Sequence, residues 1–477
     1  MEMFKKVEIS GRVCQVFAVI TGTLTVIADG MHYGWTSPII PLLEASPNSF
    51  VHESDVVWIE NCLMFGGVAG LFITMCLLDK IGRKATMLTA AVENMIAWIL
   101  IATSSSAEVL FVARFIAGIA ADVNFVAAPV YIAEIADKKI RGRLSSLINI
   151  FGLLGLVLIY AVGPYVSVGI SSVIGMGFLA VEIITFSTMP ESPHYYLMRN
   201  NPEAARRSLK VFRNVNVDGE LKMLKEIVEK ENENRGRPLD LLRVKSNRKA
   251  FGIMAVLNIS QHFTGLSVML MNMHIILGEA GLSVDANMTA IEFGLVMVAA
   301  SIVSTFLIDL VGRKVLLSIS SFCTAASLLV LGAYFSVKHK GGDTSEYSWV
   351  PVACLMIYAV THKIGLSFVP IVVTAELFPT NIKAVGCTVA DSIFVISSAI
   401  TIFVFHALYR NFGMHVPFFM FAGFAVLVGL FAIFLMPETK GKTLEEIQEI
   451  LRGEENEHVF RVETTLLLSA SEEACDE

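Results

Sequence analysis

Charge is what this sequence has least of. Only 17% of its 477 residues are Asp, Glu, Lys or Arg, while 55% are hydrophobic, and the mean hydropathy is +0.66. A soluble chain of this length would carry roughly a quarter charged residues and be divided into about three domains. The scarcity excludes an ordinary water-soluble fold and points to a chain that lives in lipid.

Cysteine chemistry is missing as well. Of seven cysteines, Cys14, Cys62, Cys76, Cys323, Cys354 and Cys387 lie inside apolar runs, and no CxxC or Cys/His cluster exists. They read as small packing residues rather than metal or redox ligands. No nucleophile, metal or cofactor constellation emerges, so the chain is expected to be no enzyme and to hold no cofactor or metal. The net charge is -7, but the acids collect in the central segment and in the tail from Glu445 to Glu477, which argues against a nucleic-acid partner. A cleavable signal peptide is not evident either. The charged start MEMFKKVEISGR leads into a run long enough to span, so the first helix is expected to be its own insertion signal.

What is present is a succession of apolar runs of roughly twenty residues, the length that crosses a bilayer. They extend from Val13 to Tyr33, Val57 to Leu78, Ala85 to Thr103, Val109 to Ile132, Leu144 to Pro164, Ser167 to Met189, Phe251 to Leu277, Ala290 to Leu310, Val315 to Val337, Val350 to Val373, Ala384 to Tyr409 and Val416 to Met436. Lys80, Arg83 and Lys84, then Lys138, Lys139, Arg141 and Arg143, then Arg313, Lys314 and Lys383 fill alternate connections. The opposite loops at 36–56, 104–108 and 278–289 contain no Lys or Arg, and only Lys338, Lys340 and Arg410 break the pattern. The basic loops are therefore expected to be cytosolic, with both termini inside.

The runs divide the chain into a cytosolic N-terminus (1–12), a six-helix half (13–189), a charged linker (190–249), a second six-helix half (250–436) and an acidic cytosolic tail (437–477). EAARRSLKVF and GELKMLKEIVEKEN in the linker repeat their apolar residues at three and four, predicting short amphipathic helices.

The two halves also repeat in sequence. DKIGRK at Asp79–Lys84 returns as DLVGRK at Asp309–Lys314. Glu134, seven residues before Arg141, returns as Glu376, seven before Lys383. Pro190-Glu191-Ser192 returns as Pro437-Glu438-Thr439. Motifs repeated in register indicate parallel copies of six spans. Asp79, Arg83, Lys84, Glu134, Arg141, Glu191, Asp309, Arg313, Lys314, Glu376, Lys383 and Glu438 are candidates for an inner gate, in which ion pairs bridging the halves close one conformation and break in the other. Satisfying the positive-inside rule is the simpler role for the same basic residues.

The duplicated GRK, Arg114-Phe115 opening RFIAG, PVYIAE, the PES and PET pair and QHFTG at Gln261–Gly265 resemble the sugar porter family of the major facilitator superfamily, from Val13 to about Leu451. GWTSP at Gly34–Pro38 and LIDLVGRKVLLSIS at Leu307–Ser320 are most similar to the insect facilitated trehalose transporter group. The resemblance implies an all-α membrane protein of twelve transmembrane helices in two parallel repeats. Its implied activity is facilitated diffusion of a trehalose- or hexose-like sugar across the plasma membrane, by a monomer, through alternating access. A solute sensor that binds without efficient flux, and a carrier of a non-sugar polar solute, with or without coupling to protons, are the alternatives.

Asn258, Gln261, Gly265 and Asn272 fall on one stripe of the seventh span, with His262, Thr264 and Ser267 alongside. Amides at this depth either meet a solute or hydrogen-bond neighbouring helices. By the resemblance, Gln261 matches the first glutamine of a QQxSG motif, His262 replaces the second, and Ser267 stands where asparagine is usual. Ile371 and Val395 replace tryptophans, and Asn149 and Ser398 occupy positions of glutamine and asparagine. The expected solute set is Asn149, Asn258, Gln261, His262, Ser267, Asn272 and Ser398.

Proton-coupled members carry an aspartate on span one beside an arginine on span four. Here Arg114 remains, and Thr36 holds the acid's place, which favours facilitated diffusion. Glu60, Asp122, Glu182, His362, Lys363 and Asp391 also lie inside spans, where ionisable groups tend to have a role; Lys363 and Asp391 could pair in the cavity or serve coupling. Asn287 begins an N-glycosylation sequon in an outer loop, and Glu463 precedes Leu467-Leu468 with the spacing of an acidic dileucine signal.

Overall fold

The computed structural model describes residues 11–46, 49–137, 139–213, 217–233, 240–281, 285–379 and 382–452. Lys138, the side chain of Asp309 and the tail with Glu463 and Leu467-Leu468 lie outside the described residues. Among those described, the secondary structure is entirely helical.

Among the described residues, twelve helices are long and apolar enough to cross a membrane: Gly11–Gly34, Glu53–Ile81, Arg83–Ala102, Ala107–Ile135, Arg141–Tyr165, Val168–Phe186, Lys245–Met271, Ala286–Ile308, Arg313–His339, Ser345–Leu377, Val385–Phe412 and His415–Phe434. They are called the first to twelfth spans. Several outrun their apolar cores by a turn because a charged first or last turn can reach water while the helix continues. The second span thus begins at Glu53 and the third at Arg83.

Within the first half the second and fourth spans approach until their backbones touch. A Cβ on Gly66 would strike the carbonyl of Phe115, and one on Gly118 the carbonyl of Leu63. Small residues allow this contact, which replaces the hydrophobic drive that lipid does not supply. The halves meet along two lines, second span against eleventh and fifth against eighth.

The linker folds as expected into short helices, among them Pro202–Arg213 and Asp218–Glu233. The first buries Ala204, Ala205, Leu209 and Phe212 and is tied to the bundle by Gln15, whose Nε2 donates to the Phe212 carbonyl at 2.9 Å. Gln15 Oε1 accepts from the Asp137 amide at 2.9 Å. A last helix, Leu444–Arg452, docks under the tenth span through Gln448 Nε2, 2.7 Å from the Leu377 carbonyl.

The seventh span is not one rod. Its helix ends at Phe263, restarts at Leu266 after Gly265 with φ 96°, and is interrupted again at Asn272. The tenth span widens into a π-helical turn at His362–Ser367, a local irregularity of the kind often found at functional sites.

Candidate functional site

The repeated turns build the same junction twice. Gly82 and Gly312 join the second span to the third and the eighth to the ninth with φ of 99° and 103°, a conformation that favours glycine. In the first copy Glu191 accepts from the backbone N–H groups of Arg83 at 3.1 Å and Lys84 at 3.0 Å. In the second, Glu438 accepts from Arg313 at 3.1 Å and Lys314 at 3.0 Å. A carboxylate placed on the free N–H groups of a helix start also meets the positive end of the helix dipole.

Beside each cap, Arg83 Nη2 lies 3.0 Å from Glu134 and Arg313 Nη2 lies 3.0 Å from Glu376; Asp79 adds a longer contact to Arg83 at 3.8 Å. These pairs bind neighbouring spans of one half, the third to the fourth and the ninth to the tenth. The expectation that they bridge the halves is corrected by this geometry, since each acid sits on the span beside its own arginine. Arg141 is exposed, and Lys383 is half-buried at the start of the eleventh helix.

The two caps differ electrostatically. Burial pushes the Glu191 carboxyl above its ordinary range despite hydrogen bonds from Lys84, Ser192 and Ala85 and the Arg83 charge. Glu438 is also partly buried, which works to raise it, but backbone donors from Lys440, Lys314, Arg313 and Thr439 outweigh that and hold it below the usual value.

At mid-depth the break in the seventh span collects polar groups from both halves. Ser267 Oγ lies 2.8 Å from Tyr33 Oη on the first span, 2.6 Å from His262 Nδ1 and 2.6 Å from Ser398 Oγ on the eleventh. A hydroxyl offers one donor and two acceptors. With one donor and two acceptors Ser267 can satisfy all three partners, with His262 Nδ1 either accepting from it or donating to it. His262 Nε2 is buried with no partner among the described residues. Phe394 stands edge-on to the His262 ring at 4.1 Å.

The other expected residues cluster less tightly. Gln261 Nε2 reaches Asn258 Oδ1 at 3.4 Å, and Asn258 Nδ2 bonds the Met254 carbonyl at 2.9 Å and Thr374 at 3.4 Å. Asn272 is fully buried, with neither amide atom partnered among the described residues. Asn149 is half-buried on the fifth span. Asn287 lies in the first turn of the eighth span, its N–H bonded to Asp285 at 3.0 Å.

Charges inside the spans are arranged differently from expectation. Lys363 bonds Ser367 Oγ at 3.2 Å, and among the described residues no ion pair joins it to Asp391, which is exposed. Its place in the π-helical turn sets its direction, which linear spacing could not reveal. Arg114 gives Nη1 to the His32 carbonyl at 2.5 Å and Nε to that of Ile59 at 3.2 Å, with Trp35 at 5.8 Å, while its Nη2 is buried with no hydrogen-bond partner among the described residues. Thr36 donates to the Met271 carbonyl at 3.1 Å. Asp29, which the reading of the spans passed over, accepts from Asn94 at 2.5 Å, and Asn94 Oδ1 meets His32 at 2.9 Å. An acid inside the run Val13–Tyr33 was itself the missed signal. Glu182 receives the Thr25 hydroxyl at 2.6 Å.

Further contacts cross between the halves on the side away from the GRK turns. Tyr160 Oη donates to the Leu270 carbonyl at 2.5 Å, Ser37 meets His274 Nδ1 at 2.8 Å, and Arg410 pairs with Glu53 at 3.1 Å.

The chain matches the family model "Sugar (and other) transporter" over residues 16–451. It is 31% identical to a facilitated trehalose transporter of Bombyx mori over 434 residues, covering 91% of this chain and 85% of that one. The facilitated trehalose transporter of Drosophila virilis is 30% identical over 92% of this chain, but the chain spans only 49% of its length. Among solved structures, the proton:xylose symporter XylE bound to 6-bromo-6-deoxy-D-glucose superposes with a TM-score of 0.71 at 20% identity, covering 91% of this chain and 99% of that one. The inward-open xylose transporter XylE of E. coli gives 0.71 at 19% identity, covering 92% and 98%. Twelve spans in two repeats, the paired GRK junctions and a family match across nearly the whole chain lead to one conclusion: this protein belongs to the sugar (and other) transporter family, is built on the major facilitator fold, and is a membrane carrier rather than an enzyme.

Proposed function

We propose that the protein carries a trehalose- or hexose-like sugar down its gradient across the plasma membrane, acting as a monomer with both termini in the cytosol. The observation that carries the solute site is the Ser267 cluster in the broken seventh span. His262 Nε2 in that cluster and both side-chain amide atoms of nearby Asn272 are buried with no partner among the described residues, and such groups are costly unless a ligand or water meets them. Gln261, Asn258, Ser398 and Asn149 complete the proposed set. The relatives named as trehalose transporters support a sugar of that kind.

In the proposed orientation the GRK turns face the cytosol. The bonds at Thr36, Ser37, Tyr160 and Glu53 then lie on the outer side, which makes this an outward-closed state. The Arg83–Glu134 and Arg313–Glu376 junctions stiffen the inner base of each half so that the halves rock as units. Thr36, which stands where the coupling acid would be and is bonded to the Met271 carbonyl, supports passage without proton coupling.

Uptake of labelled trehalose, glucose and a polyol into vesicles tests the proposal. Saturable flux of trehalose or glucose that is independent of a proton gradient is the expected result. Binding without flux would instead mark a sensor, and transport of none of the sugars would overturn the reading.

A further inference from the structure

We propose that a cavity between the outer ends of the two halves is a second saccharide site, complete only while that side is closed, through which external sugar restrains its own uptake. The site is separate from the Ser267 cluster and rests on the orientation and alternating-access reading proposed above.

The cavity measures about 540 Å³, within the range that holds small ligands. Both halves build it. Ile40 and Glu44 come from the helix Thr36–Glu44 that follows the first span, and Val56 from the start of the second. Ile275 comes from the helix Met273–Ala280 that follows the seventh span, and Tyr409 and Arg410 from the end of the eleventh.

Its polar groups suit hydroxyls better than ions. Among the described residues no hydrogen bond or ion pair engages the Glu44 carboxylate; burial and the Glu53 charge push it above its ordinary range against the pull of Arg410. Arg410 gives Nε to Glu53 Oε1 at 3.1 Å and Nη2 to the Glu53 carbonyl, while its Nη1 has no partner among the described residues. Tyr409 Oη donates to Glu279 at 3.0 Å and still has lone pairs with which to accept. An anion would meet Glu44 and a cation would meet Arg410, each unfavourably. A polyol both donates and accepts, so its hydroxyls can use all three groups while its CH faces rest on Ile40, Val56 and Ile275.

Because the walls belong to different halves, parting them at this end takes the site apart. A ligand that binds one state only draws the population toward that state. External sugar therefore feeds the central site when the outer side is open and, at higher concentration, holds that side closed.

Ser46 lines the same cavity and is exposed. Ser46→Cys, in a chain whose native cysteines are replaced, reports occupancy by its rate of reaction with a membrane-impermeant thiol reagent on vesicles that present the outer face. External trehalose should slow that reaction about five-fold at about four times its half-protecting concentration. Lys340→Cys, exposed in another outer loop, should react as before. Ser267→Ala should keep the protection. Glu44→Ala should raise the half-protecting concentration about ten-fold, and Ile275→Trp, which fills the chamber, should abolish protection; using both guards against one failing to fold. Initial uptake should pass through a maximum as external trehalose rises, and Ile275→Trp should remove the decline. Absence of protection, equal protection of Lys340→Cys, protection that survives both Glu44→Ala and Ile275→Trp, or protection by an organic amine in place of the sugar overturns the site. Uptake that never declines overturns the restraint. Thiol labelling needs no flux, so protection without any sugar uptake would sink the transport reading and leave the site standing, and normal uptake without protection would do the reverse.

Discussion

Gly82 and Gly312 occupy equivalent turns in the two halves, and each backs onto a glutamate oxygen, of Glu191 and of Glu438. A methyl group on Gly82 would strike the Glu191 carboxylate and approach Tyr195 Cε1 to 3.1 Å, and on Gly312 it would lie 2.9 Å from Glu438 Oε2. Both positions also have positive φ. Each alanine variant should lose about 1–3 kcal/mol, with Gly82→Ala the worse because its carboxylate is the more buried. Thermal unfolding in detergent measures this, and a Gly82→Ala protein as stable as its parent would show that the turn is not constrained in this way.

Glu376→Gln removes the charge that faces Arg313 Nη2 and weakens the bond from Thr439 Oγ1, which donates to Glu376 Oε2 at 2.6 Å. Arg313 is only 8% exposed, so part of the cost of leaving its guanidinium without this carboxylate is felt. About 1–3 kcal/mol of stability should go. Because the pair lies within one half, the ratio of inward to outward forms should move little. A large shift in that ratio with unchanged stability would restore the bridging gate that the sequence suggested.

The Glu438 cap has a pH signature. Its carboxyl is held below the ordinary range, so its contribution to stability is fully present above the unfolded value and is lost as pH falls through the lower folded one. The unfolding temperatures of the unsubstituted protein and of Glu438→Gln should differ at pH 7 and converge below about pH 4. Parallel curves across that range would refute the assignment.

Ser267→Ala deletes the atom that Tyr33, His262 and Ser398 share. It frees His262 Nδ1 and removes one tie between the halves, each worth about 1 kcal/mol. Sugar affinity should fall about five- to ten-fold, while Tyr33→Phe, which cuts only the tie, should alter turnover more than affinity. Initial uptake rates over a range of sugar concentrations separate these two effects, and equal behaviour of both variants would count against Ser267 as a solute ligand.

Much of the architecture was readable because it depends on local composition. Apolar runs of span length, lysine and arginine in alternate loops, and DxxGRK repeated at Asp79 and Asp309 lead to twelve helices in two copies. The partners of the charged groups were less legible, because pairing depends on which helix faces which. Glu134 and Arg83 are 51 residues apart yet share one half, and nothing in their spacing says so. Lys363 and Asp391 sit on consecutive spans, but the π-helical turn at His362–Ser367 rotates the tenth span locally, and Lys363 turns to Ser367. Seventh-span polarity drew attention to Gln261 to Asn272, but the helix break at Gly265 and the approach of Tyr33 from the other half emerge only in three dimensions.

The interruptions of the seventh span also bear on how freely this carrier can change. Where its helix breaks, main-chain oxygens become the points at which the first half attaches: Leu270 receives Tyr160 and Met271 receives Thr36. A side chain can be exchanged by mutation, but a carbonyl oxygen is supplied by whichever residue stands there. Substitution within this segment can therefore retune what the cavity recognises without loosening the hold of the first half upon it, so that selectivity can drift while the moving parts keep their fit.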